Sequence, residues 1–308
     1  MLFKTWLKTW LDSYVTPVSK PRTIERYRLM VDLHIIPQLG DTEMDELTPL
    51  ALQKFVTELG RTGNKRKAGG LSANTVNLVI SVLRVSLETA FSLGLTETFP
   101  AEKIKRMRAS ERKIECLSVK EQIKIETAII NGKKDKLLGI IVCLYTGLRI
   151  GELLELKKTD FDSSSKTFTI SRSCHDGKNG RVIDTPKTAS SARGIPVPKQ
   201  LLPVISRLKK NGSEYFVADN GKPVSVRSYQ RSFEFLLKKL KISHHGFHSL
   251  RHTFATRALE CGMDVKTLSE ILGHKNPSIT LKRYTHSLME HKKEMMNRLG
   301  KSLKTFTE

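Results

Sequence analysis

The spacing of apolar residues in this chain is helical almost from end to end, with one interruption between Phe161 and Pro198. Within the interruption, short apolar runs alternate with clusters of Gly, Ser, Asp and Asn, a pattern typical of antiparallel strands. The runs are Phe168 and Ile170, Val182 and Ile183, and Ile195 and Val197. The chain is therefore predicted to be mainly α, with a small antiparallel β-sheet of two or three strands in its second domain.

Helix-start signals predict a small all-helical domain at residues 1–100. An apolar stripe recurs at i, i+3, i+4 and i+7 from Phe3 onward. Thr48 followed by Pro49 predicts a capped helix start, because threonine caps helices and proline suits the first helical position. Ser72 predicts the start of a further, longer helix.

A second domain is predicted at residues 117–308. It opens with Ser118 and Glu121 at capping-box spacing, in which each side chain satisfies an otherwise unpaired helix amide. Helical spacing then predicts segments at about residues 137–146, 149–156, 200–209, 226–240, 248–261, 264–272 and 278–285, followed by a C-terminal helix. Two domains also agree with the length of 308 residues.

Between the two domains, residues 101–116 form a basic segment in which the apolar pattern stops. We interpret this segment as an extended linker that contacts a polyanion, against the alternative of an ordinary solvated connection. The loop at residues 60–70 is basic as well. The residues predicted to bind the polyanion are Lys65, Arg66, Lys103, Lys105, Arg106 and Arg108.

The net charge of the chain is strongly positive, at +22. Residues 1–116 contribute +5 and the remainder contributes +17. A field of this sign attracts polyanions over a distance that salt shortens. A solvated lysine-rich surface gives the same charge, so composition alone does not decide between the two. The hydrophobic fraction of 39% excludes wholesale disorder.

Three other classes of protein are disfavoured. The longest nearly uncharged apolar stretch, Leu137–Leu148, is shorter than the roughly 20 residues that cross a bilayer. Residues 1–14 carry charges within their apolar pattern, unlike a signal peptide. The four cysteines are far apart and form no CxxC pair, which favours reduced thiols over a disulfide framework or a zinc ribbon.

The segment around His248 suggests chemistry at an anion. His248 and His252 are one helical turn apart, which is the spacing of a zinc-protease helix, but Ser249 stands where that chemistry needs its general base. His248 and Arg251 also share a helix face, and a guanidinium beside an imidazole suits an external phosphate. Taken alone, the pair leaves a structural role open.

Four motifs follow one another along the second domain. They are TGLRIGEL at 146–153, HSLRHTFAT at 248–256, LGH at 272–274 and RYTH at 283–286. With these motifs, and with PKTASSARGIP at 186–196, the sequence resembles the tyrosine recombinase/integrase family over nearly the whole chain. The resemblance implies a helical core-binding domain followed by an α/β catalytic domain, which together clamp duplex DNA.

The resemblance also assigns roles to single residues. Arg149 and Arg251 match the two arginines that grip the scissile phosphate. His248 and His274 match the positions beside that phosphate, and Tyr284 matches the nucleophile. Preorganised cations stabilise a pentacoordinate phosphoryl transition state more than the ground state, which explains the need for two arginines.

Lys187 and Glu152 complete the set of site residues. Lys187 matches a lysine on the turn of a β-hairpin and would protonate the departing 5′ oxygen, whereas Glu152 matches an acidic residue that supports the first arginine. A phenol with a pKa near 10 needs a proton acceptor, and we assign this role to His248. The product is a 3′-phosphotyrosyl link, which a 5′-hydroxyl of another strand reverses. The scheme requires no metal, nucleotide or other cofactor.

The expected partner is double-stranded DNA carrying specific attachment or crossover sites. The resemblance further implies a homotetramer on synapsed DNA, accessory excision or bending factors, no membrane, and a cytoplasmic, nucleoid-associated location. The apolar stripe of the C-terminal helix, which includes Leu299, docks either on its own domain or on a neighbouring protomer.

Several functions remain as alternatives within and beyond the family. The amino-acid sequences of the hairpin and RYTH motifs favour an integrase of a phage or conjugative element. A length near 300 residues and a start directly at the core-binding helix favour an Xer-type housekeeping resolvase, unless an arm-binding domain has been removed from a longer protein. A type IB topoisomerase would use the same chemistry without synapsis, and a DNA-binding protein with a decayed site would lack one of the catalytic residues.

Overall fold

The computed structural model of the chain describes residues 1–65, 68–109, 116–177, 180–184, 192–274, 293, 296–297 and 299–301. The chain divides into two compact units, Met1–Arg112 and Lys113–Glu308. Each unit has an apolar core of its own.

The first unit is mainly helical. Its helices are α1 (Phe3–Trp10), α2 (Pro21–Met30), α3 (Ile36–Leu39), α4 (Pro49–Thr62) and α5 (Ala73–Ser92), and further helical turns continue α1 over Leu11–Val15 and α2 over Val31–Ile35. The predicted starts of α4 and α5 are confirmed. The Thr48 hydroxyl accepts a hydrogen bond from the Ala51 amide, and the Ser72 hydroxyl accepts one from the Thr75 amide. Helix α4 extends to its Thr62 end, into the segment predicted as a loop.

Helix α5 is the central helix of the first core. Its buried side chains include Val76, Ile80 and Leu83, which belong to the same cluster as the buried Trp6. The Trp6 indole N–H donates to Ser86 Oγ of α5 at 3.0 Å. By length and composition alone α5 meets the criteria for a membrane span. Its apolar face is instead used within the unit, because eight of its twenty side chains are buried.

The first part of the predicted linker packs on the first unit. Ala101 and Ile104 are buried in its core. The Asn77 side chain of α5 bonds to both the amide and the carbonyl of Met107, at 2.9 and 2.8 Å. The expectation that the apolar pattern stops at residue 101 is therefore wrong for this part, since Ala101, Ile104 and Met107 supply apolar contacts. Residues 110–115 lie outside the described residues, and the domain boundaries themselves stay a prediction.

The second unit contains seven described helices. They are α6 (Val119–Ile130), α7 (Leu138–Thr146), α8 (Ile150–Glu155), α9 (Leu202–Lys209), α10 (Val226–Lys239), α11 (His248–Glu260) and α12 (Val265–Leu272). The predicted capping box is confirmed, because Ser118 Oγ accepts from the Glu121 amide and Glu121 Oε2 accepts from the Ser118 amide. Helix α7 is buried almost all round and forms the centre of the second core.

Seven short strands form three small sheets in the described part of the second unit. They are β1 (Phe161–Asp162), β2 (Thr167–Ile170), β3 (Ser173–Gly177), β4 (Gly180–Asp184), β5 (Arg193–Pro196), β6 (Ala218–Asp219) and β7 (Lys222–Pro223). The first sheet is antiparallel in the order β1-β2-β5, with Phe168 opposite Ile195. Strands β3 and β4 pair separately, as do β6 and β7.

The sequence correctly predicts a small antiparallel sheet but not how the strands pair. Val182 and Ile183 belong to the separate β3–β4 hairpin, where their side chains are 38% and 50% exposed. The apolar run therefore marks a strand outside the main sheet. The predicted helix at 278–285 lies outside the described residues, as does most of the C-terminal helix. Of that tail, residues 293, 296–297 and 299–301 are helical and exposed.

Candidate active site

The TGLR motif forms the junction between α7 and α8. Gly147 ends α7 in the left-handed region, at φ +66°. A Cβ at this position would lie 2.5 Å from Phe254 Cδ1 and 2.8 Å from Leu272 Cδ2. Glycine is thus required both by the backbone conformation and by the close approach of α11 and α12. This turn places Arg149 at the N-cap of α8.

Glu152 holds Arg149 in place from within the same helix. Glu152 Oε2 accepts from the Arg149 amide at 2.9 Å, and Glu152 Oε1 accepts from Arg149 Nη1 at 2.7 Å. The predicted supporting contact is present, and it is shorter than a typical neutral hydrogen bond because both groups are charged. The Arg149 side chain remains 40% exposed, so it is accessible from solvent despite these contacts.

A third arginine, Arg193 of β5, was not identified from the sequence. Its Nη1 and Nη2 donate to the two oxygens of Glu152 at 3.1 and 2.9 Å, and both side chains are only 8% exposed. Burial alone would raise the pKa of Glu152, but the hydrogen bonds and charges of Arg193 and Arg149 outweigh it and lower that pKa to about 2. The carboxylate therefore stays ionised at neutral pH. The sequence offers one signal for the burial of Arg193. It lies two residues before the apolar Ile195, and alternate residues of a strand share the same face.

Arg251 of α11 is almost completely buried, at 2% exposure. Its Nη1 donates to the Gly147 carbonyl at 2.9 Å, and its Nη2 donates to the Leu272 carbonyl at 2.7 Å. The same Nη2 lies 2.9 Å from Nε2 of His274. Because a guanidinium only donates, Nε2 is the acceptor and the neutral imidazole carries its proton on Nδ1.

The C-terminal end of α12 is where the arginines converge. Three successive carbonyls at this helix end each accept from a different guanidinium: Ile271 from Arg193 Nε at 2.6 Å, Leu272 from Arg251 Nη2 at 2.7 Å, and Gly273 from Arg149 Nη2 at 3.4 Å. Carbonyls at a helix C-terminus lack helical partners and carry partial negative charge. The LGH motif thus places His274 beside Arg251 and directly after the carbonyl that Arg149 reaches.

Gly273 completes this helix end by adopting a left-handed conformation, at φ +64°. A Cβ there would approach the Arg193 guanidinium to 3.0 Å. The glycine of LGH therefore makes room for Arg193 as well as ending the helix.

His248 is the first residue of α11 and is exposed. Its ring packs edge-to-face on that of His252, with centroids 4.6 Å apart. Within the described ranges of the chain, no group of three His, Cys, Asp or Glu side chains is arranged to hold a metal ion. Among those residues, the two histidines therefore have no third and fourth side chain with which to form a zinc site.

The remaining predicted residues fall into two groups. Lys187, Tyr284 and Arg66 lie outside the described residues, so their assignments stay predictions. The other predicted DNA-binding residues are exposed on the first unit: Lys65, Lys103, Lys105, Arg106 and Arg108. Arg106 donates to Ser81 Oγ of α5 at 3.2 Å, so part of this basic surface is held against that helix.

We expect Gly147→Ala to destabilise the second unit strongly. The left-handed conformation costs a non-glycine residue about 1–2 kcal/mol, and forcing a methyl group against Phe254 and Leu272 adds roughly 1–3 kcal/mol. Urea denaturation of the purified variant measures the loss.

Gly262→Ala provides the matched control for this variant. Gly262 is also left-handed, at φ +87°, but a Cβ there meets no atom within 4 Å. The free energy of unfolding of Gly262→Ala should therefore fall only by the cost of the left-handed conformation, without the cost of a clashing methyl group. Equal losses in both variants would show that the packing around Gly147 tolerates a methyl group.

Comparison with known proteins places this chain in a family. Residues 117–291 match the model of the phage integrase family, and residues 2–60 match that of the phage integrase N-terminal SAM-like domain. The chain is 28% identical to a XerC-like tyrosine recombinase of Caldanaerobacter subterraneus, over 96% of this chain and 81% of the relative. It is 25% identical to the ICEBs1 integrase of Bacillus subtilis, over 91% of this chain and 78% of the relative.

Solved structures agree in fold. The Tn1549 transposon integrase in complex with a circular intermediate DNA superposes with a TM-score of 0.81 and 25% identity, covering 97% of this chain and 99% of that one. A lambda integrase tetramer bound to a Holliday junction superposes with a TM-score of 0.69 at 21% identity, covering 90% of this chain and 78% of that one, and supports the fold alone. The chain belongs to the phage integrase family and is a tyrosine site-specific recombinase.

Proposed function

We propose that this chain integrates and excises a mobile element by cutting and rejoining DNA strands at specific sites through Tyr284. The observation that carries the proposal is the convergence of Arg149, Arg251 and His274 on the end of α12. Such a cluster of oriented donors suits the charge that develops on the non-bridging oxygens of a phosphodiester during transfer. The Tn1549 integrase, which by name belongs to a transposon, supports the choice of this subtype.

The proposed reaction is a transesterification. The Tyr284 hydroxyl attacks the scissile phosphorus, its proton passes to His248, and a 3′-phosphotyrosyl bond forms as the bond from phosphorus to the 5′ oxygen breaks. Lys187 gives the departing 5′ oxygen a proton. Attack by the 5′-hydroxyl of a second strand reverses these steps and rejoins the DNA without external energy.

Each described residue of the site has a part in this scheme. Arg149 and Arg251 donate to the non-bridging oxygens. His274, whose Nε2 faces Arg251, directs its Nδ1–H to the phosphate. Glu152 is too well paired to act as a base, because a carboxyl with a pKa of about 2 has little affinity for a proton at neutral pH.

The proposed partner is duplex DNA with specific attachment sites. The exposed basic residues of the first unit, together with Arg66, would contact its phosphates and orient the duplex without reading its sequence. We further propose a homotetramer on synapsed DNA, assisted by accessory excision or bending factors and working in the cytoplasm on the nucleoid. A lambda integrase, which has the same fold, forms a tetramer on a Holliday junction, and the proposal extends that arrangement to this chain.

The experiment that tests the function is covalent trapping. The protein is incubated with sheared genomic DNA of its source organism, adducts are isolated under denaturing conditions, and the attached DNA is sequenced. Recovery of one junction sequence shared by an integrated element and its circular form supports an integrase. Recovery of a chromosome-dimer resolution site would favour the Xer-type alternative, and adducts without sequence preference would favour a type IB topoisomerase.

We expect cleavage to survive EDTA while DNA binding falls steeply with salt. The arginines perform the charge neutralisation that Mg²⁺ performs in many nucleases. Binding should weaken with a log–log slope of about −0.9 per neutralised phosphate. Adduct formation and filter binding, each measured with and without EDTA over a salt series, check both parts. Loss of cleavage in EDTA that Mg²⁺ restores would contradict the mechanism.

A further inference from the structure

The short helix α8 carries two buried carboxylates, one helical turn apart. The Glu152 and Glu155 side chains are 8% and 1% exposed. Each is paired with an arginine of a different strand, Glu152 with Arg193 of β5 and Glu155 with Arg181 of β4. Helix α8 is therefore fixed to two strands by two ion pairs of the same type.

The Arg181–Glu155 pair serves the packing of the second unit. Arg181 Nη2 and Nε donate to Glu155 Oε2 at 2.6 and 3.2 Å. Arg181 also donates to the carbonyls of Leu154, at 2.6 Å, and Val224, at 3.0 Å, and its Cζ lies 5.2 Å from the centroid of the Tyr215 ring. None of these partners is a predicted catalytic residue.

The Arg193–Glu152 pair instead joins three parts of the site. The Glu152 carboxylate accepts four hydrogen bonds, two from the Arg193 guanidinium and two from the amide and guanidinium of Arg149. Arg193 Nε donates to the Ile271 carbonyl, and its guanidinium lies against Gly273. Arg193 therefore links β5, the N-cap of α8 and the end of α12.

We propose that Arg193 is a positioning residue for strand cleavage: it locks the Glu152 carboxylate between two guanidiniums and so fixes Arg149 relative to the end of α12 and His274. This inference rests on the function proposed above. Arg193 need not touch the DNA, because its effect is transmitted through Glu152 and through the Ile271 carbonyl.

The fork geometry of arginine is essential to this role. Three donors of one planar group reach both Glu152 oxygens and the Ile271 carbonyl at once. A lysine ammonium keeps the charge but is a single point on a flexible stem, so it does not hold the carboxylate in a bidentate grip. With lysine at position 193, Arg149 would retain its partner but lose the fixed orientation of that partner.

The charged and titratable groups around Glu152 imply that loss of Arg193 changes the pH dependence of strand cleavage. They are Arg149 at the N-cap of α8, Arg193 of β5, and the buried Cys143 thiol of α7, whose own pKa is raised by burial and by the Glu152 charge. Arg251 of α11 acts on the same thiol and lowers its pKa. Without Arg193, only Arg149 counteracts the effect of burial, so the pKa of Glu152 should rise above its native value. The native enzyme should already lose activity in acid, where its proton acceptor becomes protonated. The variant should show a further loss of activity as the pH falls through the raised pKa of Glu152.

The test compares Arg193→Lys and Arg193→Gln with Arg181→Lys and Arg181→Gln. The substrate is a nicked duplex built on the sequence recovered by trapping. After cleavage the fragment with the free 5′-hydroxyl is lost, so the strand cannot be rejoined and the adduct accumulates. Single-turnover adduct formation at saturating DNA, DNA affinity and the melting temperature are measured for all four variants and the native chain. The Arg181 variants control for loss of a buried ion pair on the same helix.

We expect the Arg193 variants to form the adduct roughly 10- to 100-fold more slowly, the loss found when a group that orients a metal ligand is removed. DNA affinity should be unchanged, and the melting temperatures should fall as in the Arg181 variants. Only the Arg193 variants should show an additional titrating group in the acid limb of their pH profile. Equal rate losses in the Arg181 and Arg193 variants would overturn the proposal, since the pair would then be merely structural.

A second measurement tests the Arg193–Glu152 link itself, even if the native chain forms no adduct, an outcome that would count against the proposed function alone. In protein labelled with ¹³C at the glutamate carboxyls, the Glu152 resonance is identified by its absence from Glu152→Gln. Titration should show a higher Glu152 pKa in both Arg193 variants than in the native chain or in Arg181→Lys. An unchanged Glu152 pKa in Arg193→Lys and Arg193→Gln would overturn the inference.

Discussion

Replacing Tyr284 by Phe should abolish covalent attachment to DNA and leave DNA binding intact. The substitution removes one oxygen and keeps the aromatic ring, so the proposed nucleophile is lost while the phosphate contacts of the other residues persist. Removal of a covalent nucleophile costs on the order of 10⁶ in rate. Denaturing gel electrophoresis of protein mixed with labelled duplex measures the adduct, and a mobility-shift assay measures binding.

Tyr145→Phe is the matched control for this variant. The Tyr145 hydroxyl lies 3.4 Å from Glu126, and among the described residues it contacts none that is predicted to be catalytic. This variant should form the adduct at the native rate. A denaturation-stable adduct from Tyr284→Phe would show that another residue is the nucleophile.

Arg251→Lys should slow cleavage by about 10²–10³-fold, the cost of removing one preorganised donor from an oxyanion site. Lysine keeps the charge but does not reach the carbonyls of Gly147 and Leu272 together with His274. Each buried acceptor left without a donor also costs about 1–3 kcal/mol of stability. Single-turnover rates and urea denaturation measure the two losses separately.

Arg257→Lys on the same helix separates catalysis from stability. Arg257 pairs with Glu260 and donates to the Leu117 carbonyl, away from the catalytic cluster. We expect Arg257→Lys to cleave at the native rate even where it unfolds more easily. A native cleavage rate in Arg251→Lys would remove Arg251 from the catalytic set.

Features set by neighbouring residues could be predicted from the sequence. The caps at Thr48, Ser72 and Ser118 depend on a side chain and an amide three residues apart, so the sequence pattern contains the whole interaction. Strand pairing depends on partners distant in sequence. An apolar run such as Val182 and Ile183 predicts a strand but not which strand it joins.

The same distinction applies to the site. Arg149, Arg251 and His274 could be proposed because each lies in a recognisable motif. Arg193 could not, because its significance depends on Glu152, which is 41 residues away, and on the carbonyl of Ile271, which is 78 residues away.

The end of α12 has a consequence for the enzyme between reactions. Three guanidiniums held this close repel one another, and a cluster of cations usually retains an anion from solution. Here the terminal carbonyls of the helix carry roughly half an elementary negative charge, and Glu152 adds a full one. The helix end and Glu152 together offset about half of the charge of the three guanidiniums, so the arginines stay close together in the resting protein while a net positive charge remains to attract an incoming DNA phosphate.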